Sequence, residues 1–236
     1  MVIQDQQINR LIVAGCSFSD YCQVEKNYSE YLAEKLNIEL VSGFTSGLGS
    51  NQRIFRTITT AVREKKITKS DLVVIQYTEL LRKEFWSFFT QPLERGGNQE
   101  KGSFNREPYL DGQIIKYKLD AYNWQTVEEE KLLFKLITDN FISLEYEKEN
   151  FENLHLALLS ILEREQIRTV FVESGYLYRP LNLYEFKYCS KVNVAPPLNS
   201  PDHIEYCLAD NDCTHLSIEG HKKLAQILFD HLNFIM

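Results

Sequence analysis

The apolar positions of this chain alternate between two periods. Leu11-Ile12-Val13-Ala14 is a continuous apolar run stopped by Gly15, the pattern of a strand buried on both faces and ending in a tight turn. Tyr28, Tyr31, Leu32 and Leu36 then recur at helical spacing, and Ile38-Glu39-Leu40-Val41 reads as a second strand. Gly43, Gly47 and Gly49 loosen the next connection before the stretch from Asn51 to Glu64 places Ile54, Ile58, Ala61 and Val62 on one helical face. Asp71-Leu72-Val73-Val74-Ile75-Gln76 is the clearest buried strand. Alternation of this kind predicts an α/β fold, a three-layer α/β/α sandwich with a central parallel sheet and right-handed crossovers. Ligands of such sheets bind beyond the carboxyl ends of the strands, where Ser17 and the residues around Tyr77 to Arg82 fall.

The second half is less regular. From Phe85 to about Asp120 the pattern dissolves into an aromatic, polar and glycine-containing segment, too long for an ordinary connection. Helical periodicity returns from Thr126 to Ser143 and from Asn150 to Glu165, and Arg168-Thr169-Val170-Phe171-Val172-Glu173 supplies another strand. A further irregular stretch from Tyr176 to Asn211 contains Pro180, Pro196, Pro197 and Pro201, and leads to an amphipathic helix from about Ser217 to Leu232. No internal repeat or low-complexity linker divides the chain. The expectation is one domain over residues 1–236, with insertions at about 85–149 and 176–210.

Composition narrows the class without changing that picture. The 236 residues are 44% hydrophobic and 25% charged, enough for one full core. A formal net charge of −7 argues against a broad nucleic-acid surface, which would draw on clustered Lys and Arg. No apolar stretch reaches the length of a membrane span, and Met1-Val2-Ile3-Gln4-Asp5-Gln6-Gln7 lacks the basic and apolar regions of a secretory signal, so a cytoplasmic location is expected. Cys16, Cys22, Cys189, Cys207 and Cys213 form an odd set with no regular framework, which fits reduced thiols better than disulfides.

Candidate chemistry lies at the two ends. Gly15-Cys16-Ser17-Phe18-Ser19 closes the first strand, and Asp212-Cys213-Thr214-His215 precedes the last helix. A serine hydroxyl is a weak nucleophile until an imidazole takes its proton, and the imidazole needs a carboxylate to fix its tautomer. Ser17, His215 and Asp212 are the residue types of such a centre, and Asp210 is close enough to compete with Asp212. Ser17 could equally cap the turn after the strand, and Asn51 could cap the helix that it opens. Cys16 is a second nucleophile of the same loop. Cys207, Cys213, His215 and His221 carry atoms suited to zinc, but their spacing differs from paired Cys-x-x-Cys ligands, and no metal site is expected.

Taken together these blocks resemble the SGNH, or GDSL-like, hydrolases, a superfamily of esterases, lipases, thioesterases and carbohydrate deacetylases that includes some acyltransferases. Gly15-Cys16-Ser17-Phe18 stands where the family has Gly-Asp-Ser-Leu, which makes Ser17 the matching nucleophile with Cys16 in place of the aspartate. Gly47-Leu48-Gly49-Ser50-Asn51 matches the block whose glycine N–H serves the oxyanion hole; Gly49 is the best match and Gly47 the alternative. The family's third block, Gly-x-Asn-Asp, is replaced by Gln76-Tyr77-Thr78-Glu79, so the second oxyanion donor falls to Thr78 or to Asn51. Gly15-Cys16-Ser17-Phe18, Gly49-Ser50-Asn51 and the series Thr78, Arg82, Glu84, Phe85 are similar to a divergent bacterial branch in which Gly-Cys-Ser-Phe and Gly-x-Ser-Asn occur together. Asp212-Cys213-Thr214-His215, continuing into Leu216-Ser217-Ile218-Glu219-Gly220-His221, is the best fit of the four.

The resemblance implies a serine esterase that hydrolyses a short acyl ester, on a carbohydrate or other small polar molecule, without metal or organic cofactor. It implies Ser17 as nucleophile, His215 as base and Asp212 as its partner. An acyltransferase would use the same residues. A catalytically idle binding protein on the same fold is the other alternative, motivated by the missing Asn and Asp.

Overall fold

The computed structural model describes residues 7–15, 19, 24–45, 51–78, 83–86, 109–112, 144–174, 184–194 and 216–235. In chain order these form β1 (Arg10–Ala14), α1 (Tyr28–Leu36), β2 (Glu39–Val41), α2 (Asn51–Arg63), β3 (Asp71–Gln76), β4 (Lys83–Trp86), β5 (Tyr109–Gly112), α3 (Leu144–Arg164), β6 (Arg168–Ser174), β7 (Cys189–Val194) and α4 (Ile218–Ile235). Five strands make one sheet in the order β2-β1-β3-β6-β7, every neighbouring pair parallel. This is a doubly wound α/β/α arrangement in which the strand order reverses between β1 and β3.

Side-chain alternation along the strands builds two cores. Ile12, Ala14, Val73, Ile75, Tyr77 and Phe171 pack with α2 and α3 through Ile54, Ile58, Leu158 and Leu162. Leu11, Val13, Leu72, Val74, Val170 and Val172 pack on the other face with α1 and α4 through Tyr28, Leu32, Leu224 and Leu228. All six residues of β3 are buried, which is why its run is almost continuously apolar rather than alternating. Each fully buried Val, Leu or Ile side chain contributes about 1.5–3 kcal/mol relative to exposure.

The helices start and stop on local signals. Asn27 caps α1, its Oδ1 accepting from Ser29 N at 2.9 Å while its own N–H donates to Glu30 Oε2 at 3.0 Å, a capping box. Asn37 ends the helix at φ 54°, a left-handed conformation that asparagine tolerates. At the amino edge of the sheet, Arg10 grips Asp71 with Nε to Oδ1 at 2.7 Å and Nη2 to Oδ2 at 2.9 Å. Thr68 N donates to Asp71 Oδ2 at 2.7 Å, so the buried carboxylate is satisfied from β1 and from the turn that precedes β3.

Three regions differ from expectation. α3 begins at Leu144 rather than near Asn150, because its first turns carry Tyr146, Glu147, Lys148 and Glu149 instead of an apolar stripe. β4 and β5 pair antiparallel within the segment expected to be irregular, with Phe85 opposite Leu110 and Trp86 opposite Tyr109. β7 lies inside the stretch from 176 to 210 that was expected to be an insertion, yet it is the fifth strand of the central sheet. Its Cys189, Val192 and Val194 are buried while Lys191 is exposed, and mixed polarity at a sheet edge does not match a doubly buried run. The helix expected over 126–143 lies outside the described residues.

Candidate active site

The carboxyl ends of β1 and β3 meet at the point where the strand order reverses, and a buried hydrogen-bonded chain is built there. β1 is followed by Gly15, whose isolated parallel bridge to Thr45 lies just beyond the pairing of β1 with β2. A side chain at Gly15 is excluded: a Cβ there would stand 2.2 Å from Ser19 Oγ and 3.2 Å from Gln76 O. Ser19 occupies that space, fully buried, and its hydroxyl donates to Gln76 Oε1 at 2.6 Å. A hydroxyl has one proton to give, so the 2.9 Å contact between Ser19 Oγ and Tyr28 OH has the phenol as donor. The Ser19 carbonyl in turn accepts from Asn27 Nδ2 at 3.2 Å, which ties it to the cap of α1.

The same chain reaches the start of α4. Tyr28 N, one of the orphan donors of the first turn of α1, donates to His221 Nδ1 at 3.2 Å, and the two rings stack at 14° with centroids 6.2 Å apart. An Nδ1 that accepts leaves the proton of a neutral imidazole on Nε2. The first turn of α4 is fixed by Ser217, whose Oγ accepts from Gly220 N at 3.2 Å and whose carbonyl accepts from His221 N at 2.9 Å. Leu216, immediately before it, is buried in the α1/α4 core.

On the other side of β3, Asn51 clamps the main chain that follows the strand. Its Oδ1 accepts from Thr78 N at 2.8 Å and its Nδ2 donates to Thr78 O at 3.0 Å. Both residues are buried. The carboxamide therefore holds the end of β3 to the start of α2, and the main-chain N–H of Thr78 is already used. Tyr77, between Gln76 and Thr78, turns to the α2/α3 face and meets His155 of α3, OH to Nδ1 at 2.9 Å. His155 Nε2 accepts from Tyr184 N at 3.1 Å, so its proton sits on Nδ1. Phe151 and Phe171 enclose the imidazole, the latter edge-on at 4.7 Å between centroids. Burial, with the Lys191 cation adding to it, pushes the His155 pKa down to about 4, and burial raises that of the Tyr77 phenol. Cys189, a buried free thiol, is pushed up to about 12, by burial first and then by Glu163.

Of the residues expected to form the site, Asn51 and Thr78 lie among the described residues and are in direct contact. Ser17, Gly49, Asp212 and His215 lie outside them, as do Cys16, Gly47, Asp210, Cys207 and Cys213. Their described neighbours in sequence are Gly15 and Ser19, Thr45 and Asn51, and Leu216. His221, weighed above as a zinc ligand, is in α4 and accepts a main-chain hydrogen bond at Nδ1. No helix among the described residues is long and apolar enough to cross a membrane.

Ser19, Tyr28 and His155 were not read as site or network residues. One signal was present: a buried strand that ends in glutamine must find a partner for its carboxamide, and Gln76 finds Ser19.

No protein-family model matches the chain, and no curated protein matches it. Among solved structures it is similar to a protein described as lipolytic, of the G-D-S-L family, from Desulfitobacterium hafniense, at 13% identity and a TM-score of 0.49 over 94% of this chain and 98% of that one. A lipase from a goat rumen metagenome is 10% identical with a TM-score of 0.48, over 93% of this chain and 95% of the lipase. An acetylxylan esterase from Geobacillus stearothermophilus, in a catalytic mutant form, is 11% identical with a TM-score of 0.38, over 97% of this chain and 95% of the esterase. Identities and TM-scores this low carry no functional argument, and the chemistry below rests on this chain's own residues.

Proposed function

We propose that the chain is a serine hydrolase of the SGNH, or GDSL-like, type that cleaves a short acyl ester of a carbohydrate or other small polar alcohol. The observation that carries this reading is that residues flanking the four sequence blocks are linked to the end of β3: Ser19, two residues after Ser17, bonds Gln76; Asn51, two residues after Gly49, bonds Thr78; and His221, six residues after His215, joins the Ser19 chain through Tyr28. The end of β3 adjoins the reversal of strand order, where ligands of doubly wound sheets bind.

In this reading Ser17 Oγ attacks the ester carbonyl carbon while His215 takes its proton and Asp212 holds the imidazole in the productive tautomer. Collapse of the tetrahedral state breaks the carbon–oxygen bond and the departing alcohol takes the proton from His215. Water then attacks the acyl-enzyme by the same route, releasing the carboxylic acid and restoring Ser17. The Ser17 and Gly49 N–H groups stabilise the oxyanion, each such donor being worth about 3–4 kcal/mol. Asn51 and Thr78 complete that wall: the Asn51 clamp on the Thr78 main chain supports Thr78, through its hydroxyl, as the side-chain donor, with Asn51 fixing its place.

The test is turnover of p-nitrophenyl acetate together with labelling by a fluorophosphonate. Ser17→Ala should abolish both while the protein stays folded, and Cys16→Ala should leave both near wild type. Turnover retained in Ser17→Ala and lost in Cys16→Ala would transfer the nucleophile to the thiol and sink the serine reading.

A further inference from the structure

We propose that Tyr28 and His221 are positioning residues that set the segment carrying Ser17 and the segment carrying His215 in register with each other. The inference rests on the assignment of Ser17 and His215 made above. Its basis is the buried chain from Gln76 Oε1 through Ser19 Oγ and Tyr28 OH, and from Tyr28 N to His221 Nδ1, at 2.6, 2.9 and 3.2 Å. Tyr28 is the residue that joins its two halves, through side chain on one side and main chain on the other. Its phenol reaches the segment that leaves β1, and its main-chain N–H reaches the first turn of α4, 193 residues away in sequence.

Three features make this more than ordinary core packing. Beyond the Asn27 and Glu30 cap, the acceptor that satisfies the buried Tyr28 N–H is a side chain of α4, so the start of one helix is completed by the start of the other. Asn27 Nδ2 also holds the Ser19 carbonyl, so both ends of the Ser19 residue are tied to α1. The space for Ser19 exists only because Gly15 lacks a side chain. Ser17 lies two residues from Gly15 and two from Ser19, and His215 lies two residues before Ser217, whose carbonyl accepts from His221 N. Reaction between an oxygen and an imidazole tolerates little displacement, and about 1 Å of error costs on the order of 100-fold in rate.

Tyr28→Phe removes the phenol donor and keeps the ring; His221→Leu removes the acceptor; His221→Asn puts an amide oxygen where Nδ1 stands. With p-nitrophenyl acetate, Tyr28→Phe and His221→Leu should each lower kcat by about 10- to 100-fold with KM within about twofold. Fluorophosphonate labelling should slow in parallel, and His221→Asn should recover kcat to within about threefold of wild type. Wild-type kcat in Tyr28→Phe and His221→Leu, with Ser17→Ala inactive, overturns this inference and leaves the serine assignment standing. A loss that His221→Asn fails to restore, and that follows the loss of urea resistance across the variants, reduces the chain to a structural element and overturns it as well. Full turnover in Ser17→Ala removes the nucleophile to be positioned, and this inference falls together with the assignment it rests on.

Discussion

The two faces of the sheet each bury a helix histidine, and the two make different connections. His155 and His221 are both on helices, both almost inaccessible to water, and each takes a main-chain N–H on one ring nitrogen, from Tyr184 at 3.1 Å and from Tyr28 at 3.2 Å. His155 is boxed by Tyr77, Phe151, Phe171 and Tyr184, so its hydrogen bonds close a core that is otherwise apolar and aromatic. His221 instead bonds across two helix starts and belongs to a polar chain that passes through Ser19, after β1, to Gln76 at the end of β3. The lesson is that burial of an imidazole does not mark function. What distinguishes the two is whether the partners lie within one packed face or join separate segments of a site.

The comparison is broken most directly at His155. Replacing it by alanine leaves a cavity and strands the Tyr77 phenol and the Tyr184 N–H, which should cost about 3–5 kcal/mol in urea unfolding. The fraction that remains folded should turn over ester at the wild-type rate per molecule. If kcat of the folded protein fell as steeply as in His221→Leu, the contrast between the faces would be wrong.

Acid sharpens the contrast by a somewhat smaller amount. His155 has a folded-state pKa of about 4 against a usual value of 6.5, so between these limits the unfolded chain binds more protons than the folded one. Stability therefore rises with pH through that window: the contribution is fully present above about 6.5 and is lost as pH falls towards 4, roughly 3 kcal/mol in all. His231, whose pKa burial also lowers, acts with the same sign. Urea midpoints at pH 7, 5.5 and 4.5 should fall steeply in the wild type and less in His155→Leu, where only the remaining groups titrate. Parallel curves for the two proteins would refute the assignment of that slope to His155.

The smallest expected effect comes from Tyr77→Phe, which keeps the ring stacked on Phe171 and removes the oxygen that accepts from His155 Nδ1. Leaving that donor unsatisfied should cost about 1–3 kcal/mol, read from the urea midpoint, with kcat unchanged. Tyr28→Phe is the mirror experiment on the opposite face, where kcat is the quantity that should move.

Much of the framework was legible in the chain because its physics is local. β1 and β3 are buried on both faces, so Leu11 to Ala14 and Leu72 to Ile75 had to be uninterrupted apolar runs, and α2 had to place Ile54, Ile58, Ala61 and Val62 on one stripe. The blocks around Ser17, Gly49 and Asp212 to His215 could be assigned from the sequence to segments that follow strands, which in a parallel fold share one edge, but those residues lie outside the described ones. Asn51 and Thr78 could be named as neighbours of that edge, but not as partners of each other.

Strand order, the membership of β7 and the two histidine environments belong to the tertiary structure alone. Among the described residues β7 pairs on one side only, and Ser190 and Lys191 interrupt its apolar positions, so its pattern carries no strong period. Tyr28 reads along the chain as one more position on the apolar face of α1. Its phenol and its N–H acquire meaning only when folding brings Ser19 and His221 to them. Apolar periodicity is set by neighbours three or four residues away and is written in the sequence, whereas a hydrogen bond spanning 193 residues exists only once the sheet has set both helix starts at its carboxyl edge.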